Sequence, residues 1–154
     1  MIFKARNKDI KEIHKLLNKY AKKGLILPRS LSELYDHLRD FFVFVDEKNA
    51  EIIGTCAIHI CWENLAEIRS LVIKEKHQKK GIGSLLVKEG IAETRKLGIN
   101  KFFVLTYVPL FFQRLGFKKI EKSQLPQKIW ADCIKCPYFP DCGEEALIYN
   151  EDLK

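Results

Sequence analysis

The sequence contains no long hydrophobic segment, no recognisable leader and no internal repeat or low-complexity region. Its longest apolar runs, such as 41–45 and 102–105, are far shorter than the roughly 20 residues of a membrane-spanning helix. Met1 leads directly into a strand-like segment, without the pattern of a signal or transit peptide. A chain of 154 residues is long enough to bury a core of its own. We therefore expect one domain over residues 1–154, located in the cytoplasm, with no membrane partner.

The chain also lacks a concentrated block of charge, although it is basic overall. Its formal net charge is +7, but the lysines are spread over predicted helix faces and loops. A surface of this kind usually serves solvation, so we expect no nucleic-acid partner. The same positive balance suits an acidic cofactor and a small acidic substrate. A homodimer is compatible with the sequence.

The spacing of the apolar residues predicts an α/β fold. A first strand at Phe3 precedes a helix from Lys8 to Lys23, which Asn7 caps and Gly24 ends. The capping-box spacing from Ser30 predicts a second helix, to about Arg39. The later predicted elements are strands 42–46, 51–62 and 65–73, a helix after Gly83 that ends at Gly98 and turns Ile82, Leu85, Leu86 and Leu97 inward, strand 101–107, helix 109–115, a strand from Gly116 and strand 146–149. This order predicts a mixed sheet flanked by helices.

One segment places two glycines and two lysines between a β-branched strand and an amphipathic helix. It comprises Gln78, Lys79, Lys80, Gly81, Ile82, Gly83 and Ser84. Glycines at a helix N-terminus leave backbone N–H groups uncovered, and the helix dipole is positive there, so a phosphate is favoured. The segment lacks the third glycine and the acidic residue of a dinucleotide-binding site.

The pattern Gln-x-x-Gly-x-Gly after such a strand resembles the acetyl-CoA pyrophosphate loop of the GNAT family of N-acetyltransferases. The similarity is greater to one branch, the N-acetylglutamate synthases of arginine biosynthesis, and especially to their short stand-alone form. The segments that carry it are 27–30, 56–59, 66–69, 101–106, 111–117 and 125–128. The resemblance implies a single GNAT domain with a mostly antiparallel sheet, splayed central strands and acetyl-CoA as acetyl donor.

The activity implied by this resemblance is direct transfer of an acetyl group to L-glutamate in a ternary complex. Two alternatives within the fold are another small amine and a protein N-terminus as acceptor. A different class of function is a non-catalytic acetyl-CoA-binding protein or a metal-dependent interaction module. Release of free thiol from acetyl-CoA with glutamate separates the first hypothesis from the others.

Acetyl transfer to an amine requires a group that takes the ammonium proton. Glu67, on the predicted central strand, matches the acidic residue proposed as base in the synthase branch. Alternatively, Glu67 pairs with Arg69 on the same strand face. Phe112 stands where many family members have a tyrosine that protonates the sulfur, so the nearest hydroxyls are those of Thr106 and Tyr107. A water molecule is the other candidate acid.

The resemblance also implies a binding surface for the cofactor. Backbone N–H groups of the segment Leu71, Val72 and Ile73 would hold the pantetheine and polarise the thioester carbonyl. Phe111 and Phe112 would line the other wall, or would form the core of their short helix.

An amino-acid acceptor is held by its carboxylates, and the planar guanidinium of arginine suits bidentate contacts with them. Arg29 matches the synthase pattern, and Pro28 keeps its link extended. Lys128 and Arg69 are further candidates for the acceptor site. His59 is expected to pack within its strand rather than to bind a ligand.

The five cysteines fall into two groups. Cys56 and Cys61 lie in strand-like sequence and are expected to be buried. Cys133, Cys136 and Cys142 belong to an irregular loop over residues 123–145 and resemble half of a metal site. A fourth ligand would have to come from Asp132, Asp141 or His59. The alternatives, in order, are a reduced or disulfide-linked loop, a zinc site and an iron–sulfur site.

Overall fold

A computed structural model describes residues 1–126, 129 and 143–150 of the chain. The strands among them are β1 (Ile2–Lys4), β2 (Phe41–Asp46), β3 (Glu51–Trp62), β4 (Leu65–Ile73), β5 (Lys101–Thr106), β6 (Lys118–Ile120) and β7 (Glu145–Asn150). The α-helices are α1 (Ile10–Ala21), α2 (Leu31–Asp36), α3 (Ile82–Arg95) and α4 (Pro109–Arg114). In this part of the chain, no helix is long and apolar enough to cross a membrane.

The strands form one sheet in the order β1-β2-β3-β4-β5-β7-β6. The β1–β2, β2–β3, β5–β7 and β6–β7 pairs are antiparallel. The predicted α/β class is therefore confirmed. The splaying of the central strands β4 and β5 stays a prediction.

The chain divides into two compact units, and β3 and β4 contribute residues to both. Unit 1 comprises Met1–His59 and Ile68–Leu97, and unit 2 comprises Ile60–Glu67 and Gly98–Lys154. That the whole chain acts as one domain stays a prediction.

The core of unit 1 forms between the apolar face of α1 and strands β2 to β4. Its buried residues are Ile10, Ile13, Leu16, Leu17, Tyr20, Leu34, Phe41, Val43, Ile52, Ala57 and Val72. The predicted cap at Asn7 is wrong, because 7–9 form a 3-10 turn and the backbone N–H of Arg6 donates to the Asp9 carboxylate at 2.8 Å. Gly24 ends this segment as predicted, with a positive φ of 74°.

Helix α2 begins with the predicted capping box. The Ser30 hydroxyl accepts a hydrogen bond from the backbone N–H of Glu33 at 3.1 Å. The helix ends at Asp36, three residues earlier than predicted, because His37 leaves the helical region (φ −108°, ψ 20°). Residues 38–40 then form a 3-10 turn that leads into β2.

Helix α3 buries a narrower face than the sequence predicts. Ile82 and Leu86 are buried as expected, but Leu85 is 52% exposed and Leu97 is 71% exposed. The buried face continues from Leu86 through 87, 90, 91 and 94, so Leu85 points off the stripe and Leu97 lies beyond the last helical residue.

Unit 2 has its own apolar cluster. It contains Cys61, Leu65, Phe103, Leu125, Ile129 and Ala146. Cys61 is buried here, and Cys56 is buried in unit 1, as predicted for both.

Candidate active site

The central strand β4 is interrupted by a residue in a left-handed conformation. Ser70 has a φ of +51°, which is uncommon for a residue other than glycine. The Thr55 hydroxyl donates to the Ser70 carbonyl at 3.1 Å and holds this conformation. Before the break, residues 65–68 are all buried, and residues 69–71 are half-buried. The segment Leu71–Ile73, predicted to contact the cofactor, therefore begins directly after the break, and Arg69 directly precedes it.

The side chain of Arg29 lies against this break. Its Nη1 donates to the Ser70 hydroxyl at 3.4 Å, and its guanidinium carbon lies 5.5 Å from the centroid of the Phe41 ring. Its Nε is 4.0 Å from a carboxylate oxygen of Glu33 in α2. Only 11% of the side chain is exposed. The capping box of α2 and the extended link before it thus bring Arg29 to the β4 segment that contains Arg69 and Leu71.

The last residue of β4 is fixed by two side chains from other elements. The Ile73 carbonyl accepts hydrogen bonds from the Tyr20 hydroxyl at 2.9 Å and from Gln78 Nε2 at 2.8 Å. Tyr20 belongs to α1 and is 5% exposed. Gln78 therefore ties the glycine-containing segment to the strand before it. The sequence contained no signal for this contact of Tyr20, and it gave none for the conformation of Ser70.

The segment from Gln78 to Ser84 contains two left-handed residues just before helix α3. Lys79 (φ +64°) and Gly81 (φ +83°) are both left-handed, and α3 begins at Ile82. Gly81 occupies the N-cap position and provides no side-chain cap, so the first N–H groups of α3 have no partner from it. Lys79, Lys80 and Gly81 are exposed, while Gly83 and Ser84 are half-buried. A helix start without a side-chain cap, a positive helix end and two lysines are features that favour an anion. That this segment binds the cofactor stays a prediction.

Glu67 lies on β4, three residues before Ser70. It is a buried carboxylate, with 9% of its surface exposed. Because side chains alternate along a strand, Glu67 and Arg69 share one face of β4, as the sequence indicates. Its role as a base stays a prediction.

The hydroxyl groups predicted as acids lie at the end of β5. Thr106 is buried, and its Oγ1 accepts a hydrogen bond from the backbone N–H of Val108 at 3.0 Å. Tyr107 is 45% exposed. That Thr106, Tyr107 or a water molecule supplies the proton to the sulfur stays a prediction.

The two phenylalanines of α4 belong to an aromatic cluster in unit 2. Phe112 is 2% exposed and makes edge contacts with Phe111 at 4.9 Å and Phe117 at 5.3 Å. Phe117 packs in turn on Tyr149. Phe112 thus lies in the core of α4, one of the two alternatives from the sequence, and a contact with the cofactor stays a prediction.

Several predicted site residues fall outside the described part of the chain. They are Lys128, Cys133, Cys136 and Cys142. Their roles in acceptor or metal binding stay predictions.

The sequence predicts that His59 packs within its strand. The structure shows that its side chain also contacts a charged residue. Its side chain is 26% exposed, and its Nδ1 lies 2.8 Å from an oxygen of Asp40. Asp40 is 19 positions away from His59 in the chain, so the local sequence around His59 did not indicate this contact.

Comparisons with known proteins identify relatives along most of the chain. The family model of the acetyltransferase (GNAT) family matches residues 10–117. An uncharacterized N-acetyltransferase of Chlorobaculum tepidum is 45% identical over 144 residues, which cover 94% of this chain and 92% of the relative. An amino-acid acetyltransferase of Mycobacterium tuberculosis is 30% identical over 131 residues, covering 84% of this chain and 75% of the relative.

Solved structures match the fold over nearly the whole chain. A Mycobacterium tuberculosis protein in complex with CoA has a TM-score of 0.83 and 26% identity, with 97% of this chain and 98% of the other covered. The N-acetylglutamate synthase of Neisseria gonorrhoeae, complexed with coenzyme A and N-acetyl-glutamate, has a TM-score of 0.88 and 24% identity. That match covers 97% of this chain but only 34% of the synthase.

Proposed function

The chain belongs to the acetyltransferase (GNAT) family and is an N-acetyltransferase with acetyl-CoA as acetyl donor, and we propose that its acceptor is an amino acid, first of all L-glutamate. N-acetyl-L-glutamate is the product of this reaction, and arginine biosynthesis is the process that it would serve. A cytoplasmic location, expected from the sequence, belongs to the same proposal.

The observation that carries this proposal is the placement of Arg29. A guanidinium with 11% of its side chain exposed lies at the break of the central strand, 3.4 Å from Ser70. Burying an arginine is costly unless anionic or hydrogen-bonding partners compensate for the lost water. Glu33 lies 4.0 Å from Nε. The planar guanidinium is also suited to a bidentate contact with a substrate carboxylate.

The names of relatives support an amino-acid acceptor. The Mycobacterium tuberculosis relative, at 30% identity and with 75% of its length covered, is named an amino-acid acetyltransferase. The segments that resemble the synthase branch, including Arg29 and Glu67, extend this support to glutamate. Lys128 and Arg69 are the further candidates for holding its second carboxylate.

The roles of the remaining residues follow from their positions. The backbone N–H groups at the start of α3, with Lys79 and Lys80, would hold the diphosphate of acetyl-CoA, which supplies the acetyl group as a thioester. Backbone N–H groups of Leu71–Ile73 would stabilise negative charge on the thioester oxygen. Glu67 would accept the proton of the acceptor ammonium, directly or through water.

Turnover with each of the 20 amino acids and with short peptides tests the proposal. Products are identified by mass spectrometry, so that thiols of the protein do not interfere with detection. We expect N-acetylglutamate with the highest kcat/KM of the panel. A higher kcat/KM for a different amino acid would refute glutamate, and turnover confined to peptides would refute the amino-acid acceptor.

A further inference from the structure

Two histidines and an aspartate converge on one point of unit 1, at the junction of α2 with β2. His59 Nδ1 lies 2.8 Å, and His37 Nδ1 3.5 Å, from the same carboxylate oxygen of Asp40. The two imidazole rings are 4.9 Å apart at an interplanar angle of 83°. Histidine, cysteine, aspartate and glutamate side chains can each offer a metal-ligand atom. Among the described residues, this is the one group of three or more of them whose ligand atoms all lie within 4.8 Å of one another. Of its members, the sequence singled out only His59, as one possible fourth ligand of the separate cysteine group.

We propose that His37, Asp40 and His59 form a binding site for a divalent transition-metal ion, with zinc as the favoured ion. Two imidazole nitrogens and one carboxylate oxygen are ligands that zinc takes readily, and water can fill its fourth position. Magnesium and calcium prefer oxygen ligands and are not expected to bind here. The inference goes beyond acetyl transfer, because the proposed function assigns none of these residues a role in that reaction.

The local fold holds all three ligands on short connections. His37 is the C-cap residue of α2, and its carbonyl accepts a hydrogen bond from the backbone N–H of Asp40 at 2.9 Å. Phe41, next to Asp40, pairs with Ala57 in the β2–β3 ladder, which brings His59 alongside the turn. An ion bound here would therefore link the end of α2 to β3.

Two of the three donor separations can be compared directly with those of a tetrahedral site, and the third, between the two histidines, is within 4.8 Å. Metal–ligand bonds of about 2.1 Å at tetrahedral angles place donor atoms about 3.4 Å apart. The His37–Asp40 separation of 3.5 Å already fits, and the His59–Asp40 separation of 2.8 Å must open by about half an ångström. Between a fifth and about a third of each side chain is exposed, so ions and water have access.

One charged neighbour of the cluster is Lys4. Its ammonium group donates to the Arg39 carbonyl and lies 4.2 Å from the centroid of the Phe42 ring. Burial lowers the pKa of Lys4, while the Asp40 carboxylate acts in the opposite direction. A bound dication would compete with Lys4 for the charge of Asp40. Removing that ammonium in Lys4→Gln should therefore tighten metal binding.

The test uses a variant in which Cys133, Cys136 and Cys142 are all replaced by serine, so that this separate cysteine group cannot bind zinc. Its zinc affinity is measured by competition with a chromophoric chelator. We expect one bound ion, with binding weakened at least about tenfold by His37→Gln or His59→Gln. His14→Gln and His77→Gln replace the other two histidines of the chain and should leave the affinity unchanged. Lys4→Gln should raise it.

Cobalt provides a second, spectroscopic readout on the same protein. Cobalt bound by nitrogen and oxygen ligands gives d–d bands without the charge-transfer absorption of a thiolate complex. That spectrum, lost in a folded His37→Gln variant, supports the site. Absence of zinc binding in the triple serine variant, equal affinity in both histidine variants and their controls, or a thiolate charge-transfer band would each overturn it.

Discussion

Among individual residues, Glu67 has the most exacting environment for a proton acceptor. A carboxylate that is 9% exposed must have its charge compensated by the protein, since it has lost nearly all contact with water. Proton acceptors in enzymes are commonly placed in such environments, although structural ion pairs use them too. A proton acceptor and a member of a structural ion pair respond differently when the negative charge of Glu67 is removed and the shape of its side chain is kept.

Glu67→Gln makes that change. We expect the rate of acetyl transfer to fall by about a hundredfold or more, because glutamine cannot accept the ammonium proton. The affinity for acetyl-CoA should barely change. Steady-state kinetics across the pH range, with calorimetric titration of the cofactor, measure both quantities, and the residual rate should rise with pH as the acceptor amine loses its proton in solution.

Glu63→Gln serves as the matched control, because Glu63 is an exposed residue in the turn before β4. It should retain the wild-type rate. If Glu67→Gln also turns over near the wild-type rate at every pH, Glu67 is a structural partner of Arg69 or another cation and not the base.

Arg29 is the second residue for which substitutions can distinguish a role in binding the substrate from a role in packing. Arg29→Ala should raise the KM for glutamate by about two orders of magnitude, because a substrate carboxylate would lose its charged donor. The KM for acetyl-CoA should be unaffected. Arg29→Lys should recover only part of the loss, since an ammonium cannot form the bidentate contact.

The control for this series is Arg39→Ala, which removes an exposed arginine from the turn before β2. It should leave both Michaelis constants unchanged. An unaltered glutamate KM in Arg29→Ala would reduce Arg29 to a packing residue on Phe41 and would remove the main support for an amino-acid acceptor.

Among the secondary-structure elements, the start of α3 is where backbone conformation and charge can be tested independently. Asparagine and aspartate both tolerate the left-handed conformation that Gly81 adopts at φ +83°, and they differ by one charge. Gly81→Asp should therefore weaken acetyl-CoA binding much more than Gly81→Asn, because a carboxylate at the helix start repels the diphosphate. Isothermal titration of the two folded variants gives the comparison.

The side chain itself has room at this position, because a Cβ on Gly81 would meet no atom within 4 Å. A steric explanation would therefore predict similar losses in both variants. Equal affinities for acetyl-CoA in Gly81→Asp and Gly81→Asn would contradict the anion site.

The sequence specified those elements whose signals are local. The bounds of β3 and β4, the capping box at Ser30 and the end of α1 near Gly24 are confirmed, because alternation, caps and glycine conformation act within a few residues. The prediction that Leu85 and Leu97 are buried was wrong, because both residues are apolar but lie outside the buried face of α3.

Only part of the candidate active site could be predicted from the sequence. The glycine-containing loop and Arg29 follow from motif and spacing, but the hydrogen bond from Thr55 that holds Ser70 left-handed joins positions 15 residues apart. The convergence of His37 and His59 on Asp40 likewise depends on the β2–β3 register, which spacing alone does not define.

For the whole molecule, Cys56 links the stability of the fold to alkaline pH. Its side chain is fully buried in β3, and burial raises the pKa of its thiol from 9.0 to about 12. The folded state therefore keeps a proton that the unfolded state releases between these values. A group with a raised pKa contributes fully below its unfolded pKa, and the contribution is lost as the pH rises toward the folded value.

We therefore expect the free energy of unfolding to fall as the pH rises from about 9 toward 12, because the unfolded state releases the proton of this thiol and the folded state keeps it. Cys56→Ala should be less stable at neutral pH, because it leaves a cavity in the core, but its stability should decline less steeply above about pH 9. Loss of net positive charge and titration of surface lysines affect both proteins alike, so they cancel in the difference. Urea unfolding of the two proteins at several pH values measures that difference. If the free energy of unfolding declined in parallel for the two proteins above pH 9, ionisation of the Cys56 thiol would not destabilise the folded state. Burial of Cys56 would then not contribute to the loss of stability at alkaline pH.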